Sequence, residues 1–235
     1  MRNSEKHLEN SNSSALDGIY STMALSYQGY EVTRWKNVPF MKEAQRNGFE
    51  ESISEHSFSV IRLYTYCQLQ FPSLMRYYPD VLMHIVPHDD PEIFIDDITL
   101  HDQVLNGIKK NGELEAFRTF NEELPETIAR TLTDNFEQFE KPSPSITDTH
   151  AALAKLFDVL QGNHVALTKG ENLPEHSSDI IKILRARFTP IARRTIELLQ
   201  RDGDIESADA IKIIVLDHVK RIREKGIDFA IEELE

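Results

Sequence analysis

The stretch HIVPHDDPEIFIDD, residues 84–97, holds two histidines and five acids within fourteen residues. Ile85, Val86, Ile93, Phe94 and Ile95 run through the same segment. A solvated charge run would not contain so many apolar residues, so some of these polar groups are expected inside. Buried His and Asp side chains require partners. A divalent cation is one partner that satisfies several of them at once. His88 and Asp89 are adjacent. Neighbours on a regular helix diverge by about 100°, so both can serve one ion only at an irregular helix end. Pro87 supplies that irregularity, because proline removes a backbone donor and clashes one turn back. Further ligands must come from elsewhere. His56 lies on an apolar stripe with Val60, Leu63, Tyr64 and Cys67. Asp158 shares a helix side with Ala151 and Ala154, over which a neighbouring helix can pack closely. Taken singly each candidate is weak, since a lone His is more often a bonded core residue and a lone Asp a solvated one.

These positions need helices to carry them. The 3.6-residue period runs through most of the chain and alternating β-branched runs are scarce, which predicts an all-α fold of about eight helices. Residues 14–28 form the first. Ser52 and Glu55 have capping-box spacing, which starts a helix at about 53 that Pro72 ends. The next helix, 74–86, breaks at Pro87. Helices over 99–120 and 125–140 follow, then the KPSPS break at 141–145. A helix over 147–161 leads into a turn at QGN, 161–163. The DGD turn at 202–204 separates helices over 176–201 and 205–234. Residues 1–13 are a polar, disordered lead-in. Residues 14–235 form one helical domain, with 176–235 as a C-terminal helical extension.

The totals narrow the function classes. The 235 residues are 40% apolar and carry a formal charge of −13. That surface repels nucleic-acid backbones, so long DNA or RNA is not an expected partner. A small anion remains open, because one Arg or one metal ion reverses the local field. The single cysteine, Cys67, allows no intrachain disulfide. The N-terminus has no apolar signal core, and no stretch approaches the roughly 18 apolar residues of a membrane span. A cytoplasmic protein with no membrane partner is the expectation.

The stretches ESISEHSFSV (51–60), HDDPEIFIDDI (88–98) and LFDVL (156–160) resemble, in order and spacing, the HD-domain metal-dependent phosphohydrolases. Within these the likeness is greatest to the YfbR-type 5'-deoxynucleotidase group. The pattern is Glu51/Glu55/His56/Ser57, then His88/Asp89/Glu92/Asp97, then Asp158, with Arg34-Trp35 ahead of the first histidine. It covers roughly residues 30–165. The resemblance implies an all-helical HD-domain bundle in which His56, His88, Asp89 and Asp158 hold one divalent ion, Mn, Co, Mg, Fe or Zn. It implies that Glu92 works on the attacking water, that Arg34 meets the phosphate, and that Trp35 and Asp97 touch the sugar. The substrate implied is a nucleoside 5'-monophosphate, in its deoxy form, or another small phosphate ester, and a homodimer is compatible with the family.

The chain departs from that pattern in four places. The segment between Trp35 and His56 is several residues longer, Asp96 stands where a Gly is common, no Lys follows Asp97, and Pro87 and Pro91 bracket the dyad. Asp90 and Asp96 are acids near an anionic substrate. These departures bear on substrate choice more than on metal binding. Hydrolysis of another phosphate ester or of a nucleoside triphosphate stays open, as does a degenerate nucleotide-binding module. Among the remaining histidines, His84 has two-histidine helical spacing to His88, but Pro87 spoils the geometry. His150 and His164 flank Asp158 at solvated positions. Glu92 at the HDxxE position favours one metal rather than two.

Overall fold

The computed structural model describes residues 16–95, 97–107, 112–232 and 234. Asp96 and the lead-in at 1–13 lie outside the described residues. Among those described, eleven α-helices are joined by 3-10 turns and one π-helical turn, and the β pairing is an isolated antiparallel bridge between Thr33 and Ser52. The fold is all-α. Residues 16–26 are also helical. In chain order the helices are α1 (Lys42–Arg46), α2 (Ile53–Gln70), α3 (Tyr78–Ile85), α4 (Glu92–Ile95), α5 (Leu100–Leu105), α6 (Glu113–Phe120), α7 (Glu126–Glu140), α8 (Thr149–Lys169), α9 (Ser177–Ile183), α10 (Thr189–Arg201) and α11 (Ile205–Glu224). They outnumber the expected eight because α1 and α4 are too short to show a period. In addition, the expected helix over 99–120 is two elements, α5 and α6, and the expected helix over 176–201 is divided into α9 and α10 by the π-helical turn Leu184–Phe188.

Helix α8 is the central element. Asp148 caps it by accepting a 2.8 Å hydrogen bond from the Ala151 amide. Ala151, Ala152 and Ala154 are fully buried beside Leu153, Leu156 and Phe157. The small side chains let α2, α3, α7 and α10 all pack against this one helix. One correction concerns its length. The expected QGN turn at 161–163 does not form, and α8 runs through Gly162 to Lys169. A helical glycine costs about 1 kcal/mol, and here Leu160, Gln161 and Leu167, all buried on either side, hold the helix together.

Helix α2 starts as the Ser52–Glu55 spacing predicts. The Ser52 hydroxyl accepts from the Glu55 amide at 3.2 Å, and the Glu55 carboxylate accepts from the Ser52 amide at 2.9 Å. Helix α3 ends at Ile85, and residues 86–91 form consecutive turns with Asp90 N–H bonded to Pro87 O and Glu92 N–H to Asp89 O. The dyad therefore sits on irregular backbone, as Pro87 predicts. Helices α10 and α11 pack on each other, separated by the Asp202–Asp204 turn in which Gly203 takes φ of 78°. The helix expected over 205–234 stops at Glu224, where Gly226, with φ of 77°, turns the chain. Leu198, Leu199, Ile211 and Val215 from this pair belong to the same apolar cluster as Val60, Val81 and Phe157.

Candidate metal centre and substrate cleft

Four elements meet at the candidate site. Helix α2 brings His56, the turn after α3 brings His88 and Asp89, α8 brings Asp158, and the segment before α2 brings Arg34 and Trp35. Ligand atoms of His56, His88 and Asp158 all lie within 4.8 Å of one another. His56 Nε2 is 2.8 Å from Asp158 Oδ1 and 3.7 Å from Asp89 Oδ2. His88 Nε2 is 3.2 Å from Asp89 Oδ1 and 3.6 Å from Asp158 Oδ1. The structure thus brings His56, His88 and Asp158 to one point, with Asp89 beside both imidazoles.

The outer nitrogens of both imidazoles are occupied. His88 Nδ1 donates to Ile85 O at 2.6 Å, and His56 Nδ1 donates to Gln161 Oε1 at 2.6 Å. Gln161 Nε2 in turn donates to Glu51 Oε1 at 2.9 Å, and Trp35 Nε1 donates to Glu51 Oε2 at 2.6 Å. This relay leaves Nε2 of each ring as the atom turned to the cluster, the usual way a protein fixes a metal-binding histidine. Gln161 was not among the sequence candidates. Its signal is its place three residues after Asp158 on the same helix, which puts it on the same side.

The residues fit a divalent cation. His88 Nε2 is buried and has no hydrogen-bond partner of acceptable geometry among the described residues. Two imidazoles and two carboxylates form a donor set for a hard or borderline metal. Burial pushes the His88 imidazole down, but Asp89 and Asp158 outweigh it and lift it to about 9. Burial also pushes the two carboxyls up; His88, Arg34 and His56 overcome this at Asp89, and His56 and His88 at Asp158, so both stay below the usual carboxylate range.

Arg34 is fixed by the short bridge, its N–H bonding Glu51 O at 2.8 Å. Its guanidinium donates to Asp89 Oδ2 at 3.3 Å. Burial opposes its charge, but Asp89, Asp97, Asp158 and Glu92 raise its pKa further, so it stays cationic. Trp35 has φ of 68°, a left-handed backbone uncommon outside glycine and enriched at functional sites. A cleft opens over the cluster, and Arg34, Trp35, His88, Asp89, Glu92, Asp97 and Asp158 all line it. His101 lines it as well. Asp90 does not line the cleft; it faces a separate groove between residues 19–30 and α2–α3. Burial pushes its carboxyl up to about 7, so its charge at neutral pH is only partial.

His84 is buried and donates to Asn135 O at 3.0 Å, His150 lies beside Asp148 and Asp80, and His164 is exposed. None of the three enters the cluster. No helix among the described residues is long and apolar enough to cross a membrane.

The fold and site define a class: an all-helical bundle with a buried His/Asp cluster of metal-binding type, open to a cleft. An HD-domain family model matches residues 36–195, well over half of the chain, and the chain belongs to that family. The match takes in every expected site residue except Arg34 and Trp35, which immediately precede it. HD-domain proteins are in general metal-dependent phosphohydrolases. No curated protein and no solved structure matches the chain.

Proposed function

We propose that this protein is a metal-dependent phosphomonoesterase of the YfbR-like kind, acting on nucleoside 5'-monophosphates and preferring deoxynucleotides. The observation that supports this most is the convergence of His56, His88, Asp89 and Asp158 at the wall of a cleft that also presents Arg34 and Glu92. The four converging side chains would hold one divalent ion, Mn, Co, Mg, Fe or Zn. When bound, the ion acidifies water and polarises the phosphoryl group. Arg34 spends one donor on Asp89 and has others left for phosphate oxygens. Glu92, buried and one turn beyond the dyad, takes the proton of the attacking water. Trp35 and Asp97 wall the sugar.

Phosphate release from a panel of deoxy- and ribonucleoside monophosphates, with Mn, Co and Mg, tests the reading. The expected result is release from 5'-deoxynucleotides that EDTA abolishes and added metal restores. No release with any metal overturns it. The longer entry segment at 36–50 and His101 in place of a Lys favour a second reading, a different phosphate ester or a nucleoside triphosphate. Pyrophosphate or tripolyphosphate among the products would select that one.

A further inference from the structure

Besides Arg34, and Lys155, which donates to Phe139 O and Lys141 O, the cleft contains a cation that the proposed chemistry does not use. Arg187 lines it from the π-helical turn Leu184–Phe188, between α9 and α10. Single π turns inside helices are rare and recur at functional sites. Arg187 donates to Gln103 Oε1, and Gln103 Nε2 donates to Ile98 O at 2.6 Å. Both ends of the Gln103 amide are engaged, so it acts as a brace that fixes the guanidinium. No carboxylate pairs with Arg187 among the described residues. Four acids of the cleft, Asp89, Asp97, Asp158 and Glu92, act instead on Arg34, and a fifth, Glu140, forms no ion pair with Arg187 among the described residues. One short segment, 97–103, links the two arginines: Asp97 acts on Arg34 and Gln103 holds Arg187. Two buried polar atoms in the same cleft wall, Asn163 Nδ2 and His101 Nδ1, have no hydrogen-bond partner among the described residues.

A partly buried guanidinium without a counter-charge is costly, and its fork of donors matches an oxyanion. We propose that Arg187, braced by Gln103, receives a second anionic group of the substrate, distinct from the phosphate that is cleaved. The ligand class is a phosphate ester with two anionic groups, such as a nucleoside 3',5'-bisphosphate. Asn163 supplies a neutral donor to the same group. The inference rests on the reading that the His/Asp end of the cleft takes a phosphate ester.

Trp35, the chain's only tryptophan, lines this cleft and provides a binding signal. Metal-loaded protein would be mixed in a stopped-flow fluorimeter with a nucleoside 3',5'-bisphosphate or the matching 5'-monophosphate, so that binding is read before turnover. The wild type should bind the bisphosphate about tenfold or more tightly over the monophosphate, the scale of one charge-assisted contact. Arg187→Gln should bring that ratio near one while leaving monophosphate affinity within about twofold, and Arg187→Lys should keep part of the preference. Far-UV circular dichroism of each variant checks folding. A wild-type ratio of one, a ratio that survives Arg187→Gln, or an equal loss for both ligands overturns the proposal. Absence of phosphate release from both ligands would defeat the phosphomonoesterase reading instead, and the binding ratio would still decide the role of Arg187.

Discussion

At the scale of single residues, the proposed chemistry gives two carboxylates three positions apart different tasks. Asp89 touches both imidazoles, whereas Glu92 lies in the cleft wall a turn further on. Asp89→Ala should therefore lose both bound metal and turnover, while Glu92→Ala should keep metal and lose turnover. Elemental analysis beside phosphate-release assays separates the two, and full metal content in Asp89→Ala would refute the ligand assignment. Gln161 acts through His56. Gln161→Leu removes the acceptor that fixes the ring and should weaken metal affinity by about 10–100-fold, the usual effect of losing such a support. A competitive chelator titration reads this. His56 and Asp158 stand out in the sequence because of their type and their position on apolar stripes. Gln161 does not, because an amide in a helix is unremarkable until its partners, Glu51 and His56, are seen across more than a hundred residues of chain.

At the scale of elements, the start of α2 does two jobs. The Ser52–Glu55 box caps the helix that carries His56, and Ser52 also bridges to Thr33 beside Arg34. Ser52→Ala should cost about 1 kcal/mol of stability, typical for loss of an N-cap. It should also loosen Arg34, raising KM more than it lowers kcat. Thermal unfolding and steady-state kinetics on the one variant check both parts. The box was legible in four residues because capping is local chemistry. The continuation of α8 through Gly162 was not, because it depends on side chains packed from α2, α3 and α10 rather than on the QGN sequence. The division of 99–120 into α5 and α6, by contrast, has a local signal: Asn-Gly pairs stand at 106–107 and 111–112, and Gly107 and Gly112 take φ of 67° and 84°.

At the scale of the whole molecule, the buried His218 couples stability to pH. It lies on α11, with its ring edge-on to Phe188 at 5.3 Å. Burial, then His164 and Arg221, push its pKa down to about 4, with Asp217 offsetting part of this. The folded value lies below the ordinary 6.5, so the unfolded chain takes up the proton first as pH falls. This contribution is fully present above about pH 6.5 and falls by about 1.4 kcal/mol per pH unit down to about 4. Denaturant unfolding of the wild type against His218→Leu, across that range, should show a steeper loss in the wild type. Parallel curves would contradict the assignment. The net charge of −13 operates at the same scale: it discourages polyanions, while Arg34 and Arg187 place positive charge in the cleft itself.

The helical class, the break at Pro87, the cap at Ser52 and the candidate residues His56, His88, Asp89 and Asp158 were all determined by the sequence. Each depends on periodicity, capping or side-chain type, which act within a few residues. Tertiary structure decided that His56, His88 and Asp158 share one point with Asp89 beside them, that Gln161 and Glu51 hold an imidazole in place, and that Arg187 enters the same cleft. These are long-range facts. They follow from how α2, α8 and the turn after α3 pack over a spine of small residues, and no local pattern specifies which faces meet.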